Sequence, residues 1–236
     1  MGFVFNTSRP LFRDNPKLRR AVNFAVDRAA IRRASGSPLQ SRLTDQYLMP
    51  GMPGFRDADI YPLDSPNVRR ARGLAQGNTR SGKAVLFTVD SPPRLSAAQQ
   101  IKRDLGRIGL EVEIRGIPLP AYFGQLGARG NYDIGFRPWV LDFNDPYSML
   151  NVNLDSRFIG TTNWGRFDSP AVNRLLRRAA RLDGVARSRT YAELDVRLAR
   201  DEAPMLAVEV PNDAILVSGR VGCVGTRFEL TSLCLK

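Results

Sequence analysis

Between residues 83 and 137 the spacing of the apolar residues switches from strand-like to helix-like and back, twice over. No other feature of the chain narrows its fold as much. Ala84 to Val89 reads as a strand, and Leu95, Ala98, Ile101, Leu105 and Ile108 then recur at helical spacing as far as Gly109. Leu110, Val112 and Ile114 alternate with Glu111, Glu113 and Arg115 in a second strand; another helix is expected over about 119–129 and a third strand over 132–136. Strands joined through helical crossovers run parallel, with right-handed connections. The class that follows is α/β, with a mixed, partly parallel sheet flanked by helices.

In open parallel sheets ligands sit beyond the carboxyl ends of the strands. Here those ends lead into two loops, Asp90 to Arg94 and Trp139 to Tyr147. The second gathers Trp139, Asp142, Phe143, Asn144, Asp145 and Tyr147 directly after Pro138. Aromatic rings exclude water around a carboxylate, so its attraction for an ammonium group is less screened than in the open, and ring faces themselves attract cations. Asp142 is thus a candidate cation ligand, with Trp139, Phe143 and Asn144 around it. The competing reading makes the aromatics core residues and has Asp142, Asn144 and Asp145 cap the turn or the next helix.

Elsewhere the chain alternates elements and punctuation. Residues 2–7 read as a strand. Asn15 and Pro16 open a helix whose apolar face is Leu18, Ala21, Val22, Ala25, Val26 and Ala29, ending at Gly36. Residues 37–64, centred on Met49-Pro50-Gly51-Met52-Pro53-Gly54-Phe55, form an expected ordered loop or lid, since Tyr47, Leu48, Met49, Met52, Phe55 and Tyr61 need burial. Ser65 and Pro66 are read as opening a helix that ends near Gly77. Ser169 and Pro170 open another, followed by its partner over about 185–202. Strands are expected at 205–210 and 214–217.

Composition removes several function classes. Histidine is absent, which excludes the Ser-His-Asp and Cys-His machinery and the commonest zinc ligand. Cys223 and Cys234 are too few for a thiolate metal cage, and neither a phosphate-binding loop nor a dinucleotide fingerprint is present. No catalytic residue, cofactor or metal is therefore assigned. A net charge of +12 raises nucleic-acid binding as an alternative. The cations are nearly all arginine, however, and are spread over every helix, as on a solvated surface. A third reading, hydrolysis by Asp142 and Asp145 as paired carboxylates, lacks any nucleophile or metal signature. No apolar run is long enough to span a membrane, and the first ten residues carry no export signal.

Four stretches carry a resemblance to a known family: Phe5-Asn6-Thr7 with Pro10-Leu11-Phe12 and Leu18 to Arg28; Asp64 to Leu74; Ile101 to Val112; and Trp139 to Pro146. Together they resemble the family 5 extracellular solute-binding proteins of bacterial ABC importers, the dipeptide, oligopeptide and nickel-binding group, with Pro138 where that family usually has glycine. The resemblance implies a periplasmic-binding-protein-like lobe and covers the C-terminal half of the family's length. Residues 10–204 would form the second lobe, with 1–9 and 205–236 as hinge and first-lobe segments that would pack less well without their partners. It implies, without catalysis, binding of short peptides or other small solutes, ABC permease subunits as membrane partners, a missing N-terminal lobe in the same or another chain, and no nucleic acid. In peptide-binding members the aspartate matching Asp142 pairs with the ligand's α-ammonium, and a carboxylate-binding arginine lies in the loop before the helix that begins here near Leu95, where Arg94 is the candidate. The whole protein would be extracytoplasmic, or cytoplasmic if Met1 is the true start. In an oxidising compartment Cys223 and Cys234 can pair; two free thiols are the alternative.

Overall fold

The computed structural model describes residues 2–36, 41–139, 141, 143–212, 216–224 and 233–236, the side chains of 128 and 129 excepted. The chain opens on β1 (Gly2–Phe5), α1 (Pro16–Ala25), α2 (Arg28–Ala34), β2 (Ser41–Leu43) and α3 (Val68–Ala75). The alternating run follows as β3 (Lys83–Val89), α4 (Pro92–Gly106), β4 (Glu111–Ile117), α5 (Leu119–Gly124) and β5 (Ile134–Arg137). Beyond it lie α6 (Pro146–Leu154), α7 (Pro170–Ala179), α8 (Gly184–Arg197), β6 (Met205–Ala207), β7 (Glu209–Pro211), β8 (Val221–Gly222) and β9 (Cys234–Leu235).

Five strands share one sheet in the order β4-β3-β5-β1-β6. As the periodicity requires, β3 pairs in parallel with β4 and with β5. Strand β1 runs antiparallel to β5 on one side and to β6 on the other, with Gly2 opposite both Arg137 and Ala207. That interior position overturns the expectation of loose packing for the N-terminal strand. Phe3, Phe5 and Val208 are buried, Phe3 packs edge-on against Phe136 at 5.7 Å, and Phe5 meets Phe12 at 4.8 Å. An interior strand has ladder partners on both edges and both faces covered, so it needs no further body to bury it. Beyond it, Leu216 and Val217 are exposed and not in a strand; the rest of that expected strand lies outside the described residues.

The first helix also departs from its expected extent. Its apolar spacing continues through Ala29, yet α1 stops at Ala25 and α2 starts at Arg28. Asp27 makes the break, because its carboxylate accepts from Ala30 N at 2.7 Å while its own N–H donates to Asp104. Similarly α3 is capped by Asn67, which accepts from Arg70 N, and not by Ser65. The loop at 49–55 is pinned to α8: Gly54 has φ +85°, and a Cβ there would lie 2.5 Å from the Ser188 carbonyl oxygen. Cys223 and Cys234 are disulfide-bonded, and β8 pairs with β9 beside them.

Candidate functional site

Strand β5 lies between β3 and β1, so all four of its residues are buried, including the cationic Arg137 at its carboxyl end. Two residues on, Trp139 is half-buried, and the Arg137 guanidinium stands 4.7 Å from its ring centre. Arg137 Nε donates to Asn153 Oδ1 at 3.1 Å. Its Nη2 and the Trp139 indole Nε1 are both buried and have no hydrogen-bond partner among the described residues. Burial pushes the Arg137 pKa down to about 9, so it remains charged at neutral pH.

Arg137 and Trp139 line a cavity of about 50 Å³ together with Gly2, Phe3, Gln46, Tyr47, Met149 and Met205. Its location follows from the topology, since Gly2, Arg137 and Ala207 meet at one end of adjacent strands. Glu209 also borders the cavity and accepts from Ser41 Oγ at 2.6 Å. Its charge acts on Arg94, whose pKa is lowered by burial and raised by Glu209.

The wall formed by residues 46–48 is held from behind by Asp195, which is almost wholly buried and accepts from Tyr47 N, Leu48 N and Gln46 Nε2 at 3.0 to 3.3 Å. Burial raises its pKa to about 6 despite those donors. The folded protein then keeps a proton that the unfolded chain releases from about pH 4 upward. This contribution to stability is full below about pH 4 and is lost as pH rises through 6, on the order of 2–3 kcal/mol. Thermal unfolding followed from pH 4 to 7 should show a decline in wild type that is largely absent from Asp195→Asn. Parallel profiles would remove Asp195 as its source.

The residues expected from sequence are only partly brought together. Asp142 lies outside the described residues. Trp139 is in the site. Arg94 lies in the first turn of α4 and not in the loop before it, because the helix begins at Pro92, and its guanidinium stands 4.6 Å from the Phe136 ring. Phe143 is exposed, and Asn144 donates to the Gly51 carbonyl at 3.3 Å, tying the acidic loop to the Met-Pro-Gly loop. Asp145 is a cap, as the plainer reading had it: it accepts from Tyr147 N at 2.8 Å and from Arg187 Nη2 at 2.7 Å. So engaged, it is not a free partner for a carboxylate pair. The residue the sequence did not single out is Arg137, one arginine among many; the usable signal was its place at the end of a short apolar strand, next to Pro138-Trp139.

The model for bacterial extracellular solute-binding proteins, family 5 middle, matches residues 1–160, which include β1, β3, β4 and β5 of the sheet, Arg137 and the acidic loop. The chain belongs to this family. A probable di/tripeptide-binding protein of Pseudomonas aeruginosa is 28% identical over 182 residues, which are 73% of this chain and 33% of that protein. Heme-binding protein A of Haemophilus influenzae is also 28% identical, over 87% of this chain and 38% of its own. The chain thus spans little more than a third of the curated relatives it matches. Among solved structures, the transporter substrate-binding protein CtaP of Listeria monocytogenes superposes with a TM-score of 0.84 at 20% identity, over 99% of this chain and 49% of that one. A DppA periplasmic binding protein of Helicobacter pylori, in complex with a peptide, gives 0.81 at 22%, over 99% and 46%. The fold is therefore that of periplasmic binding proteins, as the strand and helix pattern and the resemblance both implied.

Proposed function

We propose that this lobe is the ligand-binding half of the solute receptor of an ABC-type importer, that it takes short peptides or similar small solutes, and that it performs no chemistry on them. The family match across four of the sheet's five strands and its carboxyl-edge loop carries the reading. The topology supports a second lobe: the start of β1 and the end of β6 lie beside Arg137. Connections leaving the sheet there would bring another body over the cavity. Residues 1–9 and 205–236 would serve as hinge and first-lobe segments, and 10–204 as the second lobe. Asp142 would take the ligand's α-ammonium. The Cys223–Cys234 bridge is in keeping with an extracytoplasmic setting, where permease subunits would be the membrane partners.

The decisive experiment joins this chain to its first lobe and titrates trialanine by calorimetry. Saturable binding is expected in the joined protein and only weak binding by the 236-residue chain, because a ligand resting on one lobe stays solvated and its charges stay screened. Equal affinity in both, or none in the joined form, would overturn the reading.

A further inference from the structure

No residue of α8 lines the cavity, yet the first turns of this helix hold two loops that do, the Met-Pro-Gly loop through Met49 and the acidic loop through Trp139. Arg187 Nη2 donates to Asp145 Oδ1 at 2.7 Å, and Nη1 donates to the carbonyls of Ala179, Ala180 and Leu182 at 3.1 to 3.4 Å, around the C-terminal end of α7. The guanidinium also stands 5.0 Å from the Tyr191 ring centre. One cation is thus shared between carbonyls left over where α7 ends and the carboxylate that opens α6. Next to it in the chain, the Ser188 carbonyl oxygen approaches Gly54 so closely that no Cβ fits. Asn144 Nδ2, in turn, donates to the Gly51 carbonyl at 3.3 Å. These contacts close a circuit from α8 to the acidic loop, across to the Met-Pro-Gly loop and back to α8.

We propose that Arg187 is a positioning residue for ligand binding: acting through Asp145, it sets the acidic loop and with it the preference of the joined protein for a solute with a free amine. The inference rests on the solute-binding reading, in which Asp142 of that loop takes the ammonium. Asp145 ends the loop. Its carboxylate accepts from Tyr147 N at 2.8 Å, and Ser148 Oγ donates to the carbonyls of Phe143 and Asp145. Such a cap needs only a side-chain acceptor, which asparagine supplies as well as aspartate. The negative charge at 145 serves Arg187. Both partners are partly buried, with 20% and 32% of their side-chain surface exposed, so their attraction is less screened than that of a pair in the open. Because three carbonyls anchor the guanidinium from the other side, the loop is held to Arg187 and not the reverse. A group that recognises a charged ligand must be kept within about half an ångström of its working position by contacts of this kind.

Arg187→Gln removes the cation, and Asp145→Asn, the milder change, keeps the cap and removes only the charge. In the joined protein each should weaken trialanine binding about tenfold and leave amine-acetylated trialanine unaffected. In an Asp142→Asn background neither should cause a further loss, since the residue they position is no longer charged. Tyr191→Phe is the control for stability alone: it removes the hydroxyl that donates to Asn151 Oδ1 at 2.7 Å and keeps the ring beside Arg187, so it should ease unfolding in urea and leave the preference for the free amine intact. Equal losses for free and acetylated trialanine, a loss that persists in the Asp142→Asn background, or a change of preference in Tyr191→Phe as large as in Arg187→Gln would each overturn the proposal. Hydrogen exchange on the 236-residue chain separates it from the reading beneath it. Arg187→Gln should speed exchange of the Asp145, Tyr147 and Ser148 amides, relative to those of β3, by about tenfold. Unchanged exchange with trialanine binding intact would remove the role of Arg187 and keep the importer reading. Faster exchange in a protein whose joined form takes no trialanine would keep the brace on the loop and remove the importer reading, together with the ligand role built on it.

Discussion

Arg28→Met should destabilise the protein by about 3–5 kcal/mol, the largest loss expected of a single exchange in its core. Arg28 is fully buried at the break between α1 and α2. Its Nε donates to the Ala207 carbonyl at 2.9 Å, Nη1 to the Asn23 carbonyl at 2.8 Å and to Pro62 at 3.3 Å, and Nη2 to Asn23 Oδ1 at 2.9 Å. One side chain therefore fastens the end of α1, the loop before α3 and strand β6, with the Tyr61 ring 5.5 Å from its centre. Burial lowers its pKa only to about 10, so it is charged throughout the range in which the protein would be handled. Methionine fills the volume but leaves the buried oxygens without donors, each at the cost of a lost hydrogen bond in a dry setting. Lysine would retain the charge yet could not reach all three carbonyls, and an intermediate loss is expected. Urea unfolding measures this directly. A loss below about 1 kcal/mol for Arg28→Met would mean that water replaces the guanidinium and that the network braces nothing.

The same comparison explains what could be read in the sequence and what could not. The alternation of apolar spacing over 83–137 is legible as three parallel strands because each is joined to the next through a helix, and such crossovers return the chain in the same direction. The break at Asp27 was hidden, since an aspartate between apolar turns looks like one more solvent-facing residue until Asp104, distant in sequence, supplies the acceptor for its N–H. Arg28 and Arg137 were hidden for a related reason. In an arginine-rich chain an arginine reads as surface, and only the three-dimensional supply of acceptors tells a brace from an unmet donor. Asp145 was legible as a cap because a carboxylate followed by proline at the head of a helix serves a local need. Pairing of β1 with β5 and β6 joins residues far apart in sequence, and nothing local announces it.

Asp142→Asn, in the protein joined to its first lobe, should weaken binding of short peptides with a free α-amine by about 2–5 kcal/mol, roughly 30-fold to several thousand-fold. The expectation rests on sequence: Asp142 follows Trp139 in the loop after β5, within the stretch that the family model matches. The exchange keeps the size and one acceptor oxygen of the side chain and removes its charge, so the loss reports the charge pair and not the shape of the loop. Much of it is the cost of leaving the ligand's ammonium desolvated and unpaired. Peptides with an acetylated amine carry no such charge and should bind the two proteins alike. Calorimetry with free and amine-blocked trialanine decides between a ligand residue and a turn residue. Equal losses for both peptides, or no loss for either, would assign Asp142 to the turn.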